Sequence, residues 1–99
     1  MFKSAIDAKF YANDAGYQNP GKIVDVLALF QGSLIRIVGF TTGQRHYRIT
    51  DQQMEFIKEI GTNTWKCFAV TASERATRMS GVFTLLFNPS RHEWRLAEE

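Results

Sequence analysis

The run Thr50-Asp51-Gln52-Gln53-Met54-Glu55-Phe56-Ile57-Lys58-Glu59-Ile60-Gly61 carries more local structural signals than any other part of the chain. Thr50 to Gln53 has the form of a capping box, in which a hydroxyl and a glutamine side chain each satisfy an N–H at the start of a helix. Ile49 and Met54 stand at the positions of a hydrophobic staple, and Gly61 stands where a helix commonly ends in a left-handed residue. Met54, Ile57 and Ile60, joined by Phe56, supply an apolar stripe, while Glu55, Lys58 and Glu59 are left for water. The spacing predicts a helix over Thr50–Gly61 packed on a sheet.

Upstream, Asn19-Pro20 precedes Gly21-Lys22-Ile23-Val24-Asp25-Val26-Leu27-Ala28-Leu29-Phe30-Gln31-Gly32. An asparagine cap, a proline in the first turn and a glycine past the end predict a second helix. The β-branched Ile23, Val24 and Val26 would also suit a buried strand, and periodicity does not separate the two in so apolar a run. Between the helices, Ser33–Phe40 and Arg45–Thr50 read as strands of a hairpin around Thr41-Thr42-Gly43-Gln44. A turn centred on Thr42-Gly43 sets Val38 opposite Tyr47 and Ile37 opposite Arg48, with His46 and Arg48 on the face of Ile35 and Ile37.

Asn63–Ala72 and Gly81–Phe87 also read as strands, and Asn88-Pro89-Ser90-Arg91 is a turn that returns the chain through His92–Ala97 as a second hairpin. In that hairpin Phe83, Leu85 and Phe87 share a face with His92, Trp94 and Leu96, and Thr84 and Leu86 share the other with Glu93 and Arg95. Ser4–Ala12 fits strand or helix, and Ser73–Ser80 fits a short helix or an exposed loop. The expected architecture is α+β: a single domain over residues 1–99, with a mainly antiparallel sheet built from two hairpins and about two helices packed on one face.

Ninety-nine residues suffice for one domain, and 44% hydrophobic with 22% charged residues places the chain among folding sequences. A net charge of +2 is too small to imply a polyanionic partner. The single cysteine, Cys67, allows no intramolecular disulfide, and alternation groups it with Trp65, Ala69 and Thr71 as a core-facing thiol. No apolar run is long enough for a membrane span and the start lacks a secretory signal, so a cytoplasmic protein without a membrane partner is the expectation. The sparse inventory of His46, His92, Cys67 and scattered acids carries no metal-ligand spacing, and no phosphate-cradling glycine loop is present. Neither a metal nor another cofactor is expected.

Two segments resemble each other: Arg45-His46-Tyr47-Arg48 and Arg91-His92-Glu93-Trp94-Arg95. Arginine grips phosphate, aromatics stack on unpaired bases and histidine exchanges protons near neutral pH. Arg36, Arg45, Arg48, Arg91 and Arg95 are therefore candidate contacts to a nucleic acid or a protein partner, with Arg75 and Arg78 extending the basic surface should they lie on the same side. His46 and His92 are weak candidates for the acid and base of a small ribonuclease, provided they share a cleft. Strand alternation counters both ideas, turning Tyr47 and Trp94 inward and leaving Arg48 and Arg95 on a solvated face without a stacking platform. The abundance of aromatics, Phe2, Phe10, Tyr11, Tyr17, Phe40, Trp65 and Trp94 among them, suggests a surface for a partner protein or a second copy of the chain. The composite expectation is a non-enzymatic binding or accessory protein, protein partner slightly favoured, with nucleic acid as the alternative.

Overall fold

The computed structural model describes residues 19–97, so the ambiguous Ser4–Ala12 stretch lies outside the described residues. Seven strands run in order: β1 Lys22–Ile23, β2 Asp25–Gln31, β3 Leu34–Thr42, β4 Arg45–Ile60, β5 Asn63–Glu74, β6 Ser80–Asn88 and β7 Glu93–Leu96. They form one antiparallel sheet in the order β1-β7-β6-β5-β4-β3-β2, curled into a half-barrel. β1 and β2 end the sheet on opposite sides, yet only Val24 separates them in the chain, and its N–H donates to the carbonyl of Trp94 at 3.3 Å. One segment thus joins both margins of the sheet.

The expected α+β class is corrected: among the described residues there is no helix. Asn19–Gly32 forms β1 and β2, the strand alternative that its β-branched residues left open, and Thr50–Gly61 is the second half of β4. The glycines read as helix ends explain both errors. Gly32 and Gly61, with φ of 61 and 63°, are each the first of two residues linking the ladder pairs Gln31–Leu34 and Ile60–Asn63, just as Gly43, with φ of 61°, is in the expected hairpin turn between Thr42 and Arg45. The second residues, Ser33, Gln44 and Thr62, keep negative φ. That is the pattern of a type II′ hairpin, which demands the same left-handed freedom from its glycine as a helix end does.

The apolar spacing misled for a related reason. Met54, Ile57 and Ile60 recur every three residues, which shares a face on a helix but alternates faces on a strand. Their opposite numbers are Ala69, Lys66 and Asn63. β4 also carries irregularities between Ile49 and Asp51 and between Gln52 and Met54, each adding a residue that resets the alternation.

The β3–β4 hairpin is present with a shifted register, Phe40 opposite Tyr47 and Gly39 opposite Arg48. In the β2–β3 ladder Leu27 faces Gly39 and Ala28 faces Ile37, so Val38 is skipped. This bulge puts Ile35 and Ile37 on the face of Phe40 and Tyr47, not on that of His46 and Arg48 as expected. Beyond Arg48 the β3–β4 ladder stops, and a side chain replaces it: Gln52 Nε2 donates to the carbonyl of Ile35 and Gln52 Oε1 accepts from the N–H of Ile37, both at 2.9 Å. The expected strands Asn63–Ala72 and Gly81–Phe87 and the hairpin through Pro89 are present, and Ser73–Ser80 is split among the end of β5, a turn and the start of β6.

The main core lies on one face of the curled sheet, where Phe68, Val70 and Leu85 are fully buried among Ile35, Ile37 and Phe40. Phe40 stacks on Tyr47 at 4.7 Å with Phe83 edge-on to both, and Trp94 packs against Phe87 and Phe68. On the opposite, outer face Ile60, Trp65, Cys67 and Leu86 make a smaller cluster.

Candidate functional site

In an antiparallel ladder, residues directly opposite share a face. Two rows therefore cross the outer face near the β3–β4 turn. One reads Leu27, Gly39, Arg48, Ser73 and Ser80 over β2 to β6, and the next reads Asp25, Thr41 and His46 over β2 to β4. The bare Gly39 leaves a trough between Leu27 and Arg48. Around it a groove of about 820 Å³ opens, walled by these rows, by Val38 and by Arg75 and Arg78 from the β5–β6 connection. That size suits a small ligand or a short piece of a larger one.

The connection that carries Arg75 and Arg78 is locked at several points. Arg78 N–H donates to the Glu74 carbonyl at 2.8 Å, and Glu74 N–H donates to the Met79 carbonyl at 2.9 Å. Thr77 Oγ1 reaches Glu74 Oε1 at 2.8 Å and accepts from Met79 N–H at 3.2 Å. Arg75 N–H donates to the His46 carbonyl at 2.8 Å, tying the loop to β4. Within this frame Arg78 takes φ of 63°. A residue with a Cβ sits there at a cost of about 1–2 kcal/mol, which glycine would avoid. The His46 ring is held in turn, its Nδ1 lying 3.1 Å from Thr41 Oγ1.

The five arginines singled out from the sequence do not converge. Only Arg48 lines the groove, joined there by Arg75 and Arg78. Arg45 begins β4 and turns toward Tyr47 and Glu74, and the Tyr47 hydrogen bond with the Glu74 charge raises its pKa further. Arg36 faces Leu29 on the β2–β3 hairpin. Arg91 and Arg95 both pair with Glu93, and Arg95 also donates to the Gly21 carbonyl at 2.8 Å. By contrast, no ion pair among the described residues engages Arg48, Arg75 or Arg78. Asp25 and Glu74 line the same groove and partly offset its cations.

The two histidines are not brought together. His46 lies where β4 meets the Glu74 end of β5, while His92 sits in the β6–β7 turn beyond the Lys66 end. Lys66 to Glu74 is roughly 26 Å of extended chain, far beyond the reach of a shared proton-transfer cleft. Trp94 packs against Phe87 and Phe68 on the core face, whereas Tyr47 and Phe40 line the groove as well, their rings stacked on each other with Phe83 edge-on to both.

Cys67 is buried beside Trp65 and Leu86, and burial raises its thiol pKa against a smaller opposing effect of Lys58. Such a thiol is a poor nucleophile. Among the described residues no group of three or more His, Cys, Asp or Glu could hold a metal ion. No helix among them is long and apolar enough to cross a membrane.

Phe40 and Trp65, expected as partner-facing aromatics, are buried. The exposed apolar side chains that line the groove, Leu27 and Val38, are aliphatic, and further exposed aliphatics continue along the strands away from it. Leu27 and Leu34 are 65% and 60% exposed, with Leu29 and Val38 beside them on the outer face of β2 and β3. Comparison of the chain with family models, with curated proteins and with solved structures finds no match.

Proposed function

We propose that this chain is a non-enzymatic binding module whose working surface is the outer-face groove, and that its partner is an acidic, amphipathic segment of another protein. The observation that carries this reading is that Arg48, Arg75 and Arg78 line one depression with the exposed Leu27 and Val38, so that cations and apolar surface meet there. Guanidinium forks take carboxylates in two-point contact, and desolvated aliphatic surface supplies affinity that charge alone does not. Phe40 and Tyr47 also line the groove, but they stack on each other at 4.7 Å with Phe83 edge-on to both, which supports protein over single-stranded nucleic acid, whose affinity draws heavily on base stacking. A cytoplasmic setting accords with a chain whose one thiol is buried and reduced.

The test is fluorescence anisotropy with a short labelled peptide of alternating glutamate and leucine, a lysine and leucine counterpart, and single-stranded RNA, each from low to physiological salt. The acidic peptide should bind selectively, and Arg48→Ala/Arg75→Ala should abolish that binding while Arg91→Ala leaves it unchanged. RNA binding with steep salt dependence and no peptide binding overturns the reading in favour of nucleic acid.

A further inference from the structure

We infer that the group seated between Arg48, Arg75 and Arg78 is a phosphate monoester carried by the partner protein, so that the groove reads phosphorylation. This rests on the binding-module reading above and narrows it.

Three features point to a dianion. One carboxylate offers two oxygens and one charge, which a single guanidinium fork satisfies. Three arginines line one groove, none of them in an ion pair among the described residues, and although Asp25 and Glu74 in the same lining reduce its net charge, three guanidinium forks match the three acceptor oxygens of a phosphate monoester better than the two of a carboxylate. Recognition of phosphorylated segments by arginine clusters follows that arithmetic.

The second feature is Arg78 itself. A left-handed φ of 63° at a residue with a Cβ is a local strain, and the loop hydrogen bonds from Glu74, Thr77 and Met79 hold it in place. Glycine would serve the backbone better, and the strain marks Arg78 as a position where the side chain can have a role. A separate bond, from the Arg75 N–H to the His46 carbonyl, ties the loop to β4, so the backbone that carries two of the three cations is set before any ligand arrives.

The third feature is the surroundings. Leu27 and Val38 border the seat, and they favour a phosphate presented next to apolar side chains over free phosphate. A phosphodiester of RNA carries one charge per group and would want stacking partners. Phe40 and Tyr47 instead stack on each other at 4.7 Å within the core-face aromatic group.

The experiment measures binding of the glutamate and leucine peptide bearing one central serine, in unmodified and phosphorylated forms, to the wild-type chain and to Arg78→Gly and Arg48→Ala. The phosphorylated form should bind about tenfold or more tightly, and both variants should bring that ratio close to one. A ratio near one on the wild-type chain, with both forms binding, overturns the phosphate inference and leaves the binding-module reading standing. A ratio unchanged in both variants places the phosphate elsewhere and overturns it as well. Binding of neither form removes both readings. Inorganic phosphate competing as strongly as the phosphopeptide, or single-stranded RNA binding more tightly, overturns the assignment to a protein-borne phosphate.

Discussion

Gly39 lies directly opposite Arg48 in the β3–β4 ladder, and a Cβ on Gly39 would stand 2.6 Å from the backbone carbonyl oxygen of Tyr47. The close approach of two strands and the floor of the groove therefore depend on one absent side chain. It is the nearest link between how the chain folds and what the groove can hold.

Gly39→Ala is expected to destabilise the fold by about 1–3 kcal/mol, because the contact is with main chain that cannot swing aside. Urea denaturation checks this. A variant as stable as the wild type would show that β3 and β4 separate more easily than their register implies.

Arg78→Gly is expected to act in the opposite direction on stability. Relief of a left-handed φ should raise it by about 0.5–1 kcal/mol, after allowing for the greater freedom of glycine in the unfolded chain. Thermal melting would register this as a higher midpoint, and peptide binding should weaken in the same variant. A lower midpoint would mean that the Arg78 side chain also supports the loop.

Gln52 acts as a surrogate peptide group between β3 and β4. Gln52→Leu should cost about 2–3 kcal/mol because it leaves a part-buried N–H and carbonyl without their partner. Gln52→Glu keeps the acceptor for Ile37 but loses the donor to Ile35, so a comparable loss is expected. Chemical denaturation of both variants tests the bridge, and an unchanged Gln52→Leu would show that β3 and β4 are held by the core alone.

Cys67 supplies the pH dependence. Its folded pKa is raised above the unfolded value by burial, so the folded state holds the proton more firmly. The resulting stability is complete below the ordinary thiol pKa and declines as pH rises through and above it, an effect that Cys67→Ala should remove from the high-pH limb. In the native state the thiol should react slowly with a disulfide reagent at neutral pH, and rapidly once the chain is denatured.

How much of this was legible beforehand is clearest at the glycines. Gly32, Gly43 and Gly61 each announce a left-handed residue, and that demand is met at all three. What the local signals did not distinguish is a helix end from a type II′ hairpin, because the backbone requirement is the same. The deciding fact is long-range: Ile60 pairs with Asn63, and the strand that follows can then lie along β4 as far as Tyr47. The β6–β7 hairpin was legible because Pro89 marks its turn and alternation runs unbroken through Leu85, Phe87, Trp94 and Leu96.

The site was legible only in part. Arg48, Arg75 and Arg78 are each visible in the chain, but their meeting depends on the β4–β5 register, which sets Arg48 opposite Ser73, and on the hydrogen-bonded loop between β5 and β6. No periodicity reveals either. The likeness of Arg45–Arg48 to Arg91–Arg95 proved to be a likeness of composition, since Glu93 occupies two of those arginines.

The most direct test of the groove as the binding surface is a two-dimensional ¹⁵N–¹H NMR titration of the whole chain with the acidic amphipathic peptide. The amide shifts are predicted to move at Gly39, Arg48, Ser73, Arg75 and Arg78 while Arg91, Glu93 and Arg95 stay still. Perturbation centred on the β6–β7 turn, or on the outer-face cluster around Trp65, would contradict it.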